Sequence, residues 1–440
     1  MLDIKFIRNH PDKVKESCKQ KHIKVDVDLL LEVDKKRRQT LQAFEDRLAQ
    51  KNQGSKIISR TKDEKEKRKL ILEMRELDEN SDRLNRTLKE LEGEFNNLML
   101  QIPNSPLADV PIGGDERDNV VLREWGVFPP KPKFDFKPKN YLELAENLDL
   151  IDVKRAAKIS GTRFGILKRE AALLKFALRD LTFDILMKDY NPPTTSSRSS
   201  FDERAPGFIP LDLPVMIKPE MMQGMGYVER GEEEIYYLRD DNLCLVGTAE
   251  QSIGPMHANE IFEEKDLPKR YFAFTPCFRR EAGSYGKDTK GIFRVHQFDK
   301  IEMFSFSHPE KSREEHQFFL KMEEKLIQAL KIPYRVVQMC TGDLGDPAAS
   351  KYDIEAWLPS ENRYRETHST SNCTDFQARR LNIRYRAKTG KLNFVHTVNG
   401  TAFAIGRTLI AIIENYQQKD GSIKVPEVLQ KYLQFKEIKK

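Results

Sequence analysis

Pro276–Phe306 reads PCFRREAGSYGKDTKGIFRVHQFDKIEMFSF, two alternating runs joined by a loop rich in glycine and charge. The first run, Tyr271–Phe278, is aromatic and apolar and ends on Arg279, Arg280 and Glu281. The second, Phe293–Phe306, carries Arg294, His296, Phe298, Lys300 and Glu302 at every second position, which in a strand puts all five on one face. Arg279 and Glu281 share a face by the same period. Gly283, Gly286 and Gly291 let the connecting backbone bend sharply and approach a ligand. A solvated hairpin scatters its charges, whereas this one lines up guanidinium, carboxylate and phenyl groups on one floor. Such a floor suits a nucleoside triphosphate: arginine forks grip phosphate, a ring stacks on a base and carboxylates accept from amines. The competing reading is an ordinary polar sheet face.

The 440 residues around this hairpin allow two or three domains. Lys and Arg number 75 against 69 Asp and Glu, a net charge of +6 that permits a nucleic-acid partner without demanding one. No apolar run approaches the roughly 20 residues of a membrane helix, and MLDIKFIRNH lacks the apolar core of a signal peptide, so a soluble, cytoplasmic protein without a membrane partner is expected. Cys18, Cys244, Cys277, Cys340 and Cys373 lie far apart with no C-x-x-C pair, which predicts buried thiols, neither disulfides nor zinc.

Upstream, Pro11 marks a helix start within a short N-terminal cap. From Val27 to Leu100, apolar residues recur at coiled-coil spacing: Leu30, Val33, Leu41, Phe44 and Leu48, then Leu70, Met74, Leu77, Leu84, Leu88, Leu91, Phe95 and Leu98. Asn52, Gly54 and Ser55 break the pattern, which predicts an antiparallel hairpin reaching roughly 55 Å from the body. It could be a dimerisation or scaffolding arm. It could also be a nucleic-acid lever, given Lys35, Lys36, Arg37, Arg38, Lys56, Arg60, Lys62, Lys65, Lys67, Arg68 and Lys69. Pro103, Pro106, Pro111, Gly113 and Gly114 mark a linker.

Leu150–Tyr190 is expected to be mostly helical, and Asn191–Pro206 to be an exposed loop. Asn242–Glu250, NLCLVGTAE, reads as an apolar strand ending in Thr248, Ala249 and Glu250. Pro309–Leu330 follows as an amphipathic helix, with strands at Tyr334–Met339 and Lys351–Pro359. In the segment Tyr364–Arg384, Glu366 and Ser369 stand three residues apart. Asn393–Gln417 is predicted as a strand, a glycine turn and a helix apolar nearly all round, hence buried. Arg407 in its first turns needs a partner, and a ligand phosphate is favoured over a structural carboxylate.

FRREAGSYGKDTKGIFRVHQFDKIEMF resembles motif 2 of class II aminoacyl-tRNA synthetases, specifically the bacterial-type seryl-tRNA synthetases. The linker IPNSPLADVPIGGDERDNVVLREWG resembles that family's junction, and the likeness runs through cap, hairpin, motif 1 helix, TAE, E-x-x-S and motif 3 in order. The resemblance implies an α+β fold with a class II antiparallel sheet core, helices, and an N-terminal antiparallel α-helical coiled-coil arm. It divides the chain into a tRNA-binding domain at 1–103, a linker at 104–135 and a catalytic domain at 136–440. It implies a serine–tRNA ligase: ATP and L-serine give seryl-adenylate, and the seryl group passes to the 3′ end of tRNA(Ser), with the selenocysteine tRNA left open.

By the same resemblance Arg279 holds the α-phosphate and the serine carboxylate, while Phe298 stacks on adenine opposite the stem of Arg407, whose head reaches the outer phosphates. Arg280, Glu281, Glu366, Thr367, His368 and Ser369 complete the expected ATP set, with Glu366 and Ser369 ligating Mg²⁺. Thr248, Ala249 and Glu250 take the amino-group side of serine, and Glu302 and Thr401 face its hydroxyl. The motif 1 helix implies a homodimer. Arg280, Thr367, His368, Ala402 and the 191–206 loop depart from the family pattern. An inactive paralogue would be expected to lose Arg279, Glu302 or Arg407, and all three are present. Carrier-protein ligases of related fold lack the long hairpin.

Overall fold

Two long helices, α1 (Val27–Arg60) and α2 (Glu64–Gln101), dominate the N-terminal part of the computed structural model, which describes residues 1–126, 134–188, 207–283, 286, 288 and 290–440. Asp26 caps α1 by accepting from the Leu29 amide at 2.8 Å, and Asp63 caps α2 by accepting from the Lys65 and Glu66 amides. The helix break predicted at Asn52–Ser55 does not occur; the chain reverses at residues 61–63 instead. Gly54 lies against Met74 so closely that a Cβ would overlap the sulfur, so this glycine serves interhelical approach rather than a turn. Near the base, Val27, Leu30 and Met99 join Ile7, Val14 and Cys18 in one buried cluster. Asp34 there is buried and accepts from Arg8, Arg37 and Arg38, and Arg37 lies 4.5 Å over Phe95. Two of the basic residues expected to be open to a partner are thus tied into the arm's own packing.

The chain divides into two compact units, Met1–Pro103 and Asn104–Lys440. The second is built on eight strands: β1 (Val120–Trp125), β2 (Ile209–Leu211), β3 (Lys269–Phe278), β4 (Gln297–Ser307), β5 (Tyr334–Gln338), β6 (Ser350–Leu358), β7 (Arg363–Thr374) and β8 (His396–Ala404). Their order across the sheet is β1-β5-β6-β7-β8-β4-β3-β2, antiparallel throughout except for the β2–β3 pair. The stretch expected as linker therefore supplies an edge strand, β1.

Helices α3 (Arg169–Leu186), α4 (Ser312–Ala329) and α5 (Ile405–Asn415) complete the frame. The segment expected to be mostly helical from Leu150 is so, in two pieces: a short helix, Val153–Ser160, ends at Gly161 with φ +93°, and a two-residue strand precedes α3. The predicted loop at Asn191–Pro206 lies outside the described residues. The α5 helix is buried over most of its surface, with Ile405, Leu409, Ile410, Ile412 and Ile413 all in the main core.

Two register details shape the site. Glu302 pairs with Thr401 and Met303 with Gly400, and a shift after Ile301 leaves Ala402 as the extra, fully buried residue. Gly400 is not a turn but the middle of β8. A Cβ there would stand 2.9 Å from Glu323 Oε1 and 3.0 Å from Phe319 Cδ1, both on α4, so glycine is what lets the helix lie this close to the sheet.

Candidate active site

A cavity of about 540 Å³ opens on the sheet face that carries Phe298, Lys300 and Thr401, within the size range of small-molecule sites. Strand alternation along β4 brings Phe298 and Lys300 to it and sets Glu302 on the same side. The predicted alternating run holds only from Gln297; Arg294 and His296 precede the strand. Arg294 reaches the cavity wall and donates to Glu281 Oε2 at 2.8 Å, whereas His296 turns aside to the Arg279 carbonyl and the Phe164 ring.

Arg279 stands just beyond the end of β3. Its Nε donates to the Gly247 carbonyl at 3.1 Å and its guanidinium lies 5.3 Å over Phe298, while its terminal nitrogens make no hydrogen bond among the described residues. That leaves a bidentate fork at the centre of the cavity, the geometry that suits phosphate or carboxylate.

At one end, Lys300 Nζ bridges Thr248 Oγ1 at 3.1 Å and Glu302 Oε2 at 2.5 Å. Glu250 is buried nearby; Tyr227 donates to its Oε1 at 2.6 Å, and its Oε2 has no hydrogen-bond partner among the described residues. Burial pushes the Glu250 carboxyl up, against the pull of Lys300 and Tyr227. Glu302, 1% exposed, is pushed up to about 7 by burial, with Lys300 opposing and Glu250 reinforcing. Two acids, two hydroxyls and an ammonium at one end of the cavity can recognise a small zwitterion that carries a hydroxyl.

At the other end, Arg407 Nη1 donates to the Glu366 carbonyl at 3.2 Å and lies 3.1 Å from its carboxylate. Burial works against the Glu366 charge, but Arg407 and Lys351 outweigh it and hold the carboxyl at about 2. The Arg407 guanidinium lies 4.8 Å over Phe293, which also receives Arg365 at 3.9 Å. Glu366 and Ser369 both line the cavity, and Asp353, opposite Ser369 in register, is buried with its Oδ1 3.3 Å from Lys351 Nζ. One ionised carboxylate and a hydroxyl fit Mg²⁺, which takes few protein ligands and shares substrate phosphates. Among the described residues no group of three or more His, Cys, Asp or Glu could hold a metal by itself.

Thr248, Glu250, Arg279, Glu281, Phe298, Glu366, Thr367, Ser369, Thr401 and Arg407 thus meet around one cavity, with Glu302 directly behind Lys300. Ala249 is fully buried beside it. Two members of the expected set are not brought in. Arg280 is exposed, its amide bonded to the Glu234 carbonyl. The His368 ring is 1% exposed and packs 5.5 Å from Phe403, on the core side of β7, because the strand period turns it away from Ser369. Tyr227, Phe293 and Lys351 line the cavity without having been singled out in the sequence. The alternation that found Glu302 also contained Lys300, so its signal was present.

The description "tRNA synthetase class II core domain (G, H, P, S and T)" matches residues 235–416, and "Seryl-tRNA synthetase N-terminal domain" matches residues 1–106. A serine–tRNA ligase of Fervidobacterium nodosum is 44% identical, covering 98% of both chains. One from Dictyoglomus turgidum is 43% identical over 100% of this chain and 99% of its own. The crystal structure of seryl-tRNA synthetase from Pyrococcus horikoshii complexed with ATP superposes with a TM-score of 0.89 at 40% identity, covering 100% of this chain and 99% of that one.

Proposed function

The chain belongs to the seryl-tRNA synthetases, and from that premise we propose how its cavity activates L-serine with ATP and passes the seryl group to tRNA. The observation that carries the reading is that Thr248, Glu250 and Thr401 line the cavity beside the fork of Arg279, with Glu302 directly behind Lys300. The free Oε2 of Glu250 and the Thr248 hydroxyl receive the serine ammonium, and Glu302 with Thr401 receives the hydroxyl. Arg279 then grips the serine carboxylate and the α-phosphate together. One carboxylate oxygen attacks the α-phosphorus as the bond to the pyrophosphate oxygen breaks. Orientation and charge neutralisation carry such a step without a covalent enzyme intermediate.

Phe298 and Phe293 offer ring faces for the base, with Arg407 directed to the outer phosphates once it exchanges Glu366 for ligand. Glu366 and Ser369 would hold Mg²⁺, which neutralises phosphate charge when bound. In the second step a hydroxyl at the tRNA 3′ end attacks the seryl carbonyl and releases AMP. The α1–α2 arm is assigned to the body of tRNA(Ser): Lys56, Arg60, Lys62, Lys65 and Arg68 near its tip are exposed and make no ion pair among the described residues. A homodimer is supported by the half-exposed Leu173 and Phe176 of α3, 49% and 43%.

Two variants test the site in ATP–pyrophosphate exchange. Arg279→Ala should lower exchange by about 100-fold or more, as removal of a transition-state donor does. Glu302→Gln should shrink the serine-to-alanine preference, which a hydroxyl-binding site sets at roughly 10⁴ or more. Wild-type exchange in the first, or an unchanged preference in the second, contradicts the assignment.

A further inference from the structure

Among the described residues, Lys300 is the amine that sits between the buried acids Glu250 and Glu302. Its side chain is 10% exposed and lines the cavity from the middle of β4. The ammonium contacts two receptors on different elements: Glu302 on its own strand, and Thr248, which precedes the short helix Glu250–Ile253. We propose that Lys300 is a positioning residue for serine: its ammonium fixes Thr248 and Glu302 at one separation before the amino acid enters, and supplies the charge that lets Glu250 and Glu302 share a single pocket.

The charge balance supports this. An unpaired carboxylate in a dry pocket is strongly disfavoured, and a second one beside it more so. The groups facing Glu302 among the described residues are Lys300 on its own strand, Cys277 from β3, Arg279 just beyond its end, Glu250 with its donor Tyr227, and Glu323 from α4. Lys300 is the strongest charge opposing burial at both Glu302 and Glu250. An aliphatic residue at 300 would leave both acids with Arg279 as their remaining cation, and the proton would stay on Glu302 to higher pH.

This inference rests on the reading of Glu302 as the hydroxyl receptor, so its test is separate from that of Glu302→Gln. Serine-dependent exchange is measured from pH 5.5 to 9 in Lys300→Met and Lys300→Arg, with KM for serine and for ATP determined at each pH. In Lys300→Met, KM for serine should rise about tenfold or more, the worth of a charged hydrogen bond, with KM for ATP little changed. The acidic limb of kcat/KM for serine should move up by about one pH unit. Lys300→Arg keeps the charge but not the reach, so KM for serine should rise while the limb stays in place. An unmoved limb in Lys300→Met, a moved limb in Lys300→Arg, or equal losses for serine and ATP overturns the proposal. If Lys300→Met does not fold, Lys300→Gln takes its place: its limb should move up as predicted for Lys300→Met, and an unmoved limb overturns the proposal. An unmoved limb beside a Glu302→Gln enzyme that has lost discrimination overturns the role of Lys300 and leaves the reading of the pocket standing.

Discussion

Glu323 on α4 is fully buried, and neither carboxyl oxygen makes a well-formed hydrogen bond among the described residues. It reaches the sheet through the gap left by Gly400, one position along β8 from Thr401. Burial raises its pKa well above the ordinary value of 4.5, and Glu302 and Asp353 add to the effect. The native state therefore binds a proton here that the unfolded chain loses above about pH 4.5, so this group makes stability fall as pH rises from there toward neutrality. Glu323→Gln should therefore gain stability over the wild type as pH rises from about 4.5 toward 7, with the difference smallest near pH 4.5. Urea unfolding at the two pH values checks it, and a difference independent of pH contradicts it. At this scale the sequence was most legible where period alone decides: Phe298, Lys300 and Glu302 follow from alternation along one strand. The His368 ring faces the core because the register shift between Glu366 and His368 changes which residues face the cavity. Tyr227 and Phe293 were missed because their roles depend on partners from other elements.

The arm shows the same division between local pattern and contact. Both helices were readable from steps of three and four, but the reversal was misplaced because Gly54 looks like a breaker in sequence and acts as a packing residue in space. Gly400 was misread in the same way. Lys51 lies 2.5 Å from Asp78, and Gly54 faces Met74, which sets the register of the two helices. Excision of Lys51–Asp78 with a Gly-rich turn in its place therefore joins residues that already face each other and leaves the remaining seam aligned. The shortened protein should make seryl-adenylate at a near-normal rate and lose most tRNA charging. Charging by the full chain should also fall steeply with salt, since phosphate contacts release counterions. Normal charging after excision would return the arm to scaffolding or dimerisation, and loss of both activities would make it a support of the catalytic unit.

Across the whole molecule, the order of motifs was enough to read an antiparallel core and an N-terminal arm, but not the order of strands. The sheet joins β1 to β5, Val120 opposite Gln338, and β8 to β4, Thr401 opposite Glu302. Such pairings link segments far apart in sequence, and no local period encodes them. They are also what assembles the site, since Glu302 and Thr401 become neighbours only through that pairing. The most direct test of the central claim is ATP–pyrophosphate exchange by the full-length protein with each of the twenty amino acids in turn. Serine should drive exchange, with alanine and threonine far below it. Exchange driven equally well by another amino acid, or none with serine, would contradict the account.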